Sequence, residues 1–328
     1  MKLAMLGLWH THATGIVQRV KEHPDEFELI GFFDPDPNVM RQRTEEWKSL
    51  VPMKVVGSPD ELFSLKPDGV VVDGQVYENV GLARLALEAG FPVMLEKPAG
   101  ADLKAFEQVI DLARRKHLHV QMIYLFRYMS AVLEMLRCAK EGEIGRIHEF
   151  RGRLPKDIRT YDNYVETMGW HPGGIFYEMA GHLVDMMITI LGKPTRVVPM
   201  LSHHADRPGD FVDNGIAVFE FPHAYGIVEV PALEVAPRSR RIEAHGDRGS
   251  CVIPHLGSGH LGNREVQPIE IYRLGKGDWV HTDLPAAKLQ IADLREFAAV
   301  VGGKKAPDYS FEHDLLVHEW LLKASERQ

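Results

Sequence analysis

The chain has 328 residues, 45% hydrophobic and 26% charged, with a formal net charge of −8. That length exceeds one typical core, so two domains are expected. The acidic balance argues against nucleic acid or anionic membrane as the main partner, since both reward basic surfaces. The short clusters Arg114-Arg115-Lys116 and Arg238 to Arg241 read as solvated faces. Cys138 and Cys251 lie far apart and give no disulfide framework. Met1 to Leu6 enters a strand directly, with no signal-peptide architecture. No apolar stretch reads as long enough to cross a bilayer, so a cytoplasmic, reduced protein is expected.

Over the first part of the chain, short apolar runs alternate with helical patterns. Leu3 to Leu6 reads as a strand, residues 12–22 as a helix, and Phe27 to Phe33 as a strand ending in Asp34-Pro35-Asp36-Pro37. Val55-Val56 is a short strand, and Ser58-Pro59 starts a helix with proline in its first turn. Gly69 to Val72 is a buried-strand run, followed by a helix through Leu82, Leu85 and Leu87 to Gly90. Phe91 to Leu95, a helix over 102–116 and a strand from His119 to Tyr124 complete the series. Strands and helices alternating in this way predict a parallel, doubly wound sheet.

Residues 127–141 predict a helical connector, and from Ile147 onward alternating runs dominate. They cover Arg146 to Leu154, Arg196 to Ser202, Val212 to Phe221, Tyr225 to Glu234, Arg240 to His245 and Ile269 to Arg273. That texture predicts a large, mostly antiparallel sheet with one inserted helix over 173–191 and a last helix over 311–325. The expected division is 1–124, a doubly wound parallel-sheet domain, and 125–328, an antiparallel-sheet domain, with the C-terminal helix able to pack back on the first.

The first strand-to-helix turn reads Gly7-Leu8-Trp9-His10-Thr11-His12. A dinucleotide fingerprint would be Gly-x-Gly-x-x-Gly, so only Gly7 matches, and Trp9 and His12 occupy the other two places. Asp34 ends the second strand, where an acid can accept hydrogen bonds from the adenosine ribose. No Arg or Lys follows it immediately, which favours NAD over NADP. The Asp34 to Pro37 run equally suits a turn and helix cap. Glu96-Lys97-Pro98 closes the apolar run before it and puts a lysine at the carboxyl end of a buried strand, where open α/β sheets bind ligands. Farther on stands Trp170-His171-Pro172-Gly173-Gly174, then Glu178 and His182, four apart and on one helix face.

These features in this order, with Arg127-Tyr128 opening the connector, resemble the family of glucose–fructose oxidoreductase, inositol dehydrogenase and rhizopine-catabolism proteins (Gfo/Idh/MocA). The resemblance runs over nearly the whole chain and implies a Rossmann domain joined to an open antiparallel sheet. Association through that sheet, as a homodimer or homotetramer, is implied as well. It matches Lys97 to the family's active-site lysine and His182 to its catalytic histidine, with Glu178 where many members carry aspartate. The cofactor-binding set is then Gly7, Trp9, His10, His12, Asp34, Asp73, Gly74, Glu96 and Lys97. On the substrate side stand Lys97, Arg127, Tyr128, Trp170, His171, Glu178 and His182. Asp73-Gly74-Gln75-Val76 and Asn79 depart from the family's usual Ala-Thr-Pro-Asn and histidine.

The function expected from the resemblance is NAD-dependent hydride transfer on a sugar, polyol or related hydroxy compound. One alternative is a non-redox or internally recycling lyase or hydrolase; another is a non-catalytic NAD- or sugar-sensing regulator. A metal version would recruit His171, Glu178 and His182, with His10 or His12 reaching in, but that spacing is no recognised signature and no metal is expected.

Overall fold

The structure, a computed structural model, describes residues 1–10, 12–50, 52–160, 170–206, 208–235, 240–256, 266–285 and 291–326. Arg238, which opens the second basic cluster, lies outside the described residues. The chain divides into two compact units, Met1–Ile123 with Gln290–Leu315, and Tyr124–Leu289 with Leu316–Gln328.

The first unit holds β1 (Lys2–Leu6), α1 (His12–Glu22), β2 (Glu28–Phe33), α2 (Pro37–Trp47), β3 (Lys54–Val55), α3 (Pro59–Ser64) and β4 (Gly69–Val72). It continues through α4 (Asn79–Glu88), β5 (Val93–Glu96), α5 (Leu103–Lys116) and β6 (Val120–Ile123). All its strand pairs are parallel, in the order β3-β2-β1-β4-β5-β6. β4, β5 and β6 are buried on both faces, which is why they read as unbroken apolar runs. The order reverses between β1 and β4, so the ligand crevice of such a sheet opens at their carboxyl ends.

Residues 290–315 join this unit for a physical reason. Asp293, at the start of a helix from Ala292 to Val301, is fully buried and takes Arg19 of α1 on both oxygens at 3.0 and 3.1 Å. Its carbonyl accepts the Gln121 amide at 2.8 Å. A buried carboxylate needs such donors to offset its desolvation. Neither partner was visible as a pair in the sequence, being 274 and 172 residues away. The expected C-terminal helix runs Phe311–Ala324, and the division between the units falls within it, after Leu315.

The second unit opens with a 3-10 turn, Leu125–Tyr128, and α6 (Ser130–Lys140). Its strands are β7 (Ile147–Arg153), β8 (Arg196–Ser202), β9 (Asn214–Glu220), β10 (Tyr225–Pro231), β11 (Arg241–Gly246), β12 (Gly249–Ile253), β13 (Val266–Arg273) and β14 (Val280–Pro285). They form one sheet in the order β14-β13-β12-β11-β7-β10-β9-β8, antiparallel except where β10 runs parallel to β7. The helix α7 (Gly174–Leu191) lies on one face of this sheet. Strand glycines make room for it: a Cβ at Gly152 would meet Leu183 at 2.8 Å, and one at Gly215 would meet Phe176 at 2.6 Å.

α7 corrects the expectation about membrane spans. Its 18 residues, of mean hydropathy 1.3, are long and apolar enough to cross a bilayer by length and composition. Yet 83% of the helix is buried within the protein, so its apolar surface is matched by the sheet it covers. Cys138 and Cys251 are both buried and unbridged.

Candidate active site

The turn after β1 folds without the fingerprint's glycine spacing because other groups hold it. Gly7 has φ +80°, and a Cβ there would fall 2.5 Å from Gly74 N and 2.6 Å from its Cα. Its glycine requirement is set by this backbone-to-backbone approach. Arg43 of α2, buried, then gathers the turn: its Nε donates to the Leu8 carbonyl at 2.9 Å, and its Nη2 to those of Trp9 and His10 at 3.2 Å. Its charge is met by Glu46 at 2.6 Å, and Thr14 donates to the same carboxylate at 2.7 Å.

Four of the turn's N–H groups are closed inward. Gly7 N donates to the Phe33 carbonyl, Leu8 N to Asp34 Oδ2 at 2.6 Å, His10 N to the Asp73 carbonyl and His12 N to His10 Nδ1 at 3.2 Å. Asp34, 3% exposed, also accepts from Asp36 N at 2.8 Å. Burial pushes its carboxyl above the ordinary range, an effect the two backbone donors only partly offset. Each carboxylate oxygen has room for a further donor.

β4 pairs with β5 in a register that sets Val72 beside Leu95, so Asp73 and Glu96 leave their strands side by side. Both are buried, and both oxygens of Asp73 and Oε2 of Glu96 lack a hydrogen-bond partner. Burial, reinforced by the Glu96 charge, pushes Asp73 far above the usual carboxylate range. Burial also works against Glu96 ionisation, but His12, His10 and Lys97 outweigh it and hold that carboxyl below its ordinary value. Two adjacent acids are thus driven apart, one toward the neutral acid and one toward the anion. Lys97 follows, 2% exposed, across a cis bond to Pro98. Asn79, buried at the start of α4, donates to the Glu96 carbonyl at 3.4 Å.

The second unit holds its own cluster. Glu178 and His182 are one turn apart on α7, with 2% and 4% exposure. The His182 ring stacks on Phe126 at 4.4 Å and meets the edge of Tyr124 at 5.8 Å. Tyr128 is buried in the same 3-10 turn as Phe126. Arg127, placed among the substrate residues by sequence, forms a two-pronged pair with Asp185, its Nε at 2.9 Å from Oδ2 and its Nη2 at 2.6 Å from Oδ1. Both partners are almost wholly buried, and the guanidinium also lies 4.8 Å over the Tyr124 ring. His171 stacks on Tyr177 at 3.6 Å and accepts the Gly173 N–H on Nδ1 at 3.0 Å. Burial pushes its imidazole down to about 4. Trp170, more exposed, sets its edge against both rings.

Sequence reasoning missed Arg43, which no local motif announces, and the role of Asp185, which stands three residues after His182. Among the described residues, the set whose metal-ligand atoms gather is His10, His12 and Glu96, within 4.8 Å of one another. The set His171, Glu178 and His182 considered for a metal from sequence is not the one that gathers so.

A parallel sheet in this order, with an acid at the end of β2 and an open antiparallel sheet after it, defines a Rossmann protein with an appended sheet domain. The description "Oxidoreductase family, NAD-binding Rossmann fold" matches residues 1–124, and "GFO/IDH/MocA C-terminal domain" matches residues 132–252. The chain belongs to the GFO/IDH/MocA family. The oxidoreductase YdgJ of Escherichia coli is 28% identical over 200 residues, 60% of this chain and 57% of its own length. Inositol 2-dehydrogenase of Corynebacterium glutamicum is 28% identical over 100 residues, 30% of this chain and 29% of its own. The matched stretch therefore covers little over half of the first relative and less of the second. Among solved structures, an oxidoreductase from Thermotoga maritima shares the fold with a TM-score of 0.80 at 18% identity, covering 99% of this chain and 95% of that one. A 3-ketoreductase from Actinomadura kijaniata, solved with NADP and TDP-benzene, gives 0.79 at 18% identity, covering 98% and 95%.

Proposed function

We propose that the chain is an NAD-dependent dehydrogenase moving a hydride between nicotinamide and a carbinol carbon of a sugar, polyol or related hydroxy compound. The observation that carries this reading is Lys97, a cation buried to 2% exposure at the carboxyl end of β5, on the edge where open α/β sheets take ligands. The family membership supplies the oxidoreductase class.

The residues present fit a nicotinamide dinucleotide at its adenosine end. Asp34 offers a carboxylate to the ribose hydroxyls, and Pro35-Asp36-Pro37 brings no cation for a ribose phosphate. Arg43 is held on the Leu8, Trp9 and His10 carbonyls. NAD is thus favoured over NADP. Gly74 and Asp73 flank the crevice at the end of β4. Bound nicotinamide supplies the hydride acceptor. His182 acts as general base, taking the hydroxyl proton through its imidazole. Lys97 steadies the developing alkoxide with its ammonium. Glu178, one turn before His182, orients that ring or binds a neighbouring hydroxyl.

Association through the open sheet belongs to the same reading. Met200, Ile216, Val198, Val218 and Ile227 are paired across β8, β9 and β10 and share one face, opposite the buried Ala217, Phe219 and Val228. Met200 is 56% exposed, and an apolar patch of this kind, flanked by Arg151 and Glu229 on the same face, suits a second copy. A cytoplasmic setting agrees with two unbridged cysteines.

One observation favours a second reading, a non-redox or internally recycling lyase or hydrolase: in the turn where a fingerprint would offer N–H groups to pyrophosphate, those of Gly7, Leu8, His10 and His12 are closed inward. The test is a sugar and polyol panel assayed together for product and for reduced-nicotinamide absorbance. Product with matching NADH supports the dehydrogenase; product with the NAD pool unchanged replaces it by the second reading.

A further inference from the structure

Where the glycine fingerprint is broken, the chain places imidazoles. His10 and His12, from the turn after β1, converge with Glu96, from the end of β5, so that one ligand atom of each lies within 4.8 Å of the others. His12 Nδ1 stands 3.1 Å from Glu96 Oε1, and the two histidine rings meet edge to face at 4.2 Å. Two ligands on a tetrahedral zinc ion, with bonds of about 2.0–2.1 Å, stand about 3.3 Å apart, close to the His12–Glu96 spacing.

An ion pair that fastens the start of α1 to β5 explains His12 alone. It leaves unexplained the second Glu96 oxygen, which is buried with no donor. Beside it, both Asp73 oxygens are buried in the same condition. Buried carboxylate oxygens without donors are costly, and a cation at this point would relieve that cost.

We propose that His10, His12 and Glu96 bind one divalent transition-metal ion, with zinc as the fitting case. Two imidazoles and one carboxylate are a zinc donor set that leaves a coordination position open to an oxygen ligand, such as water, a hydroxyl or a phosphate. Loading replaces the His12–Glu96 contact with bonds to the ion. It also replaces the long 3.2 Å bond from His12 N where His10 uses Nδ1. This inference goes beyond the dehydrogenase reading: its ligands belong to the turn and strand end expected to border the dinucleotide, but its test is independent, because the ion is measured without nicotinamide or substrate.

The test uses tag-free full-length protein, stripped with a chelator, equilibrated with micromolar zinc and passed through gel filtration, with metal counted by mass spectrometry. One equivalent of zinc retained is expected, with affinity lowered by more than about tenfold in His12→Ala and Glu96→Gln. Cobalt in place of zinc should give visible absorption bands that vanish in both variants. Should Glu96→Gln fold poorly, His12→Ala decides, since His12 is one-third exposed and the substitution leaves the core intact. No zinc retained by the wild type, or equal retention by His12→Ala, overturns the proposal.

Discussion

Arg43 Nε donates to the Leu8 carbonyl at 2.9 Å, and that contact joins α2 to the turn after β1. With the further bonds to Trp9 and His10, one buried guanidinium fixes a turn that has lost its glycine spacing. A lysine ammonium cannot reproduce this planar fork. Arg43→Ala should therefore lower stability by about 3 kcal/mol, since it strips several carbonyls of a charged donor. Arg43→Lys should recover less than half of that. Urea unfolding of both variants beside the wild type measures it; a loss below about 1 kcal/mol in Arg43→Ala would show that the turn stands without the clamp.

Gly7 and Gly74 permit a second prediction because their surroundings differ. A Cβ on Gly7 meets backbone atoms at 2.5 and 2.6 Å and also requires φ +80° of an L-residue. A Cβ on Gly74 meets first the Leu82 side chain at 2.7 Å, which can shift. Gly7→Ala should cost at least about 2 kcal/mol, from strain and clash together. Gly74→Ala should cost clearly less. The reverse order in thermal unfolding would mean that the turn and the β4 loop are not held back to back.

The parallel sheet was legible because its strands are buried on both faces. β4 is an uninterrupted Gly-Val-Val-Val, and no polar periodicity competes with it. α2 went unread as a helix: Pro-Asn-Val-Met-Arg-Gln-Arg-Thr-Glu-Glu-Trp buries only Arg43 and Trp47, so it shows no apolar stripe, although Asp36 caps it. β14 was missed because it is an exposed edge strand that buries none of its side chains. In the site, Asp34, Glu96 and Lys97 stood out because strand ends are where such residues can matter. The Arg127–Asp185 pair did not, for its partners are 58 residues apart and each looks locally like a polar surface residue. Long-range pairing of buried charges leaves no periodic trace, and that is where sequence reading stopped.

The His171 imidazole gives a pH prediction. Burial holds it at about 4, below the ordinary value of 6.5. A depressed folded value means that its contribution is complete above pH 6.5 and is lost as pH falls toward 4. Each unit corresponds to about 1.4 kcal/mol, so the full effect is about 3 kcal/mol. His171→Asn keeps an acceptor for the Gly173 N–H but cannot titrate. Its stability should fall less steeply between pH 7 and 4, with some loss at pH 7 from the missing stack on Tyr177. His119, also held at about 4 by burial, continues to titrate, so the slope should be reduced and not abolished. An unchanged slope in denaturant titrations would place the His171 ring in water.

Asp34 serves both the fold and the proposed cofactor, and two substitutions separate these roles. Asp34→Ala removes the acceptor for Leu8 N and Asp36 N as well as the ribose carboxylate. Asp34→Asn keeps an acceptor oxygen but removes the charge. Both should weaken NAD binding by calorimetry, while the stability loss should be larger for Ala. NADP should lose less than NAD, since a ribose phosphate gains from removal of the negative charge. Equal losses for the two dinucleotides would take Asp34 away from the adenosine ribose.

Lys97 and His182 carry the last prediction, which distinguishes the chemical roles proposed for them. If His182 moves the hydroxyl proton and Lys97 steadies the alkoxide, both act mainly on the transition state. Lys97→Ala and His182→Ala should then lower kcat by about a hundred- to ten-thousand-fold, with NAD affinity little changed. His182→Ala also removes a ring stacked on Phe126, so its melting temperature must be read alongside, and His182→Gln, closer in bulk, should show the same kinetic loss. Lys97 is buried beside Glu96, and Lys97→Met keeps the length of the chain without the charge. A regulator would predict the opposite pattern, with no turnover to lose and altered ligand affinity. Folded variants that turn over at the wild-type rate would remove both residues from the mechanism.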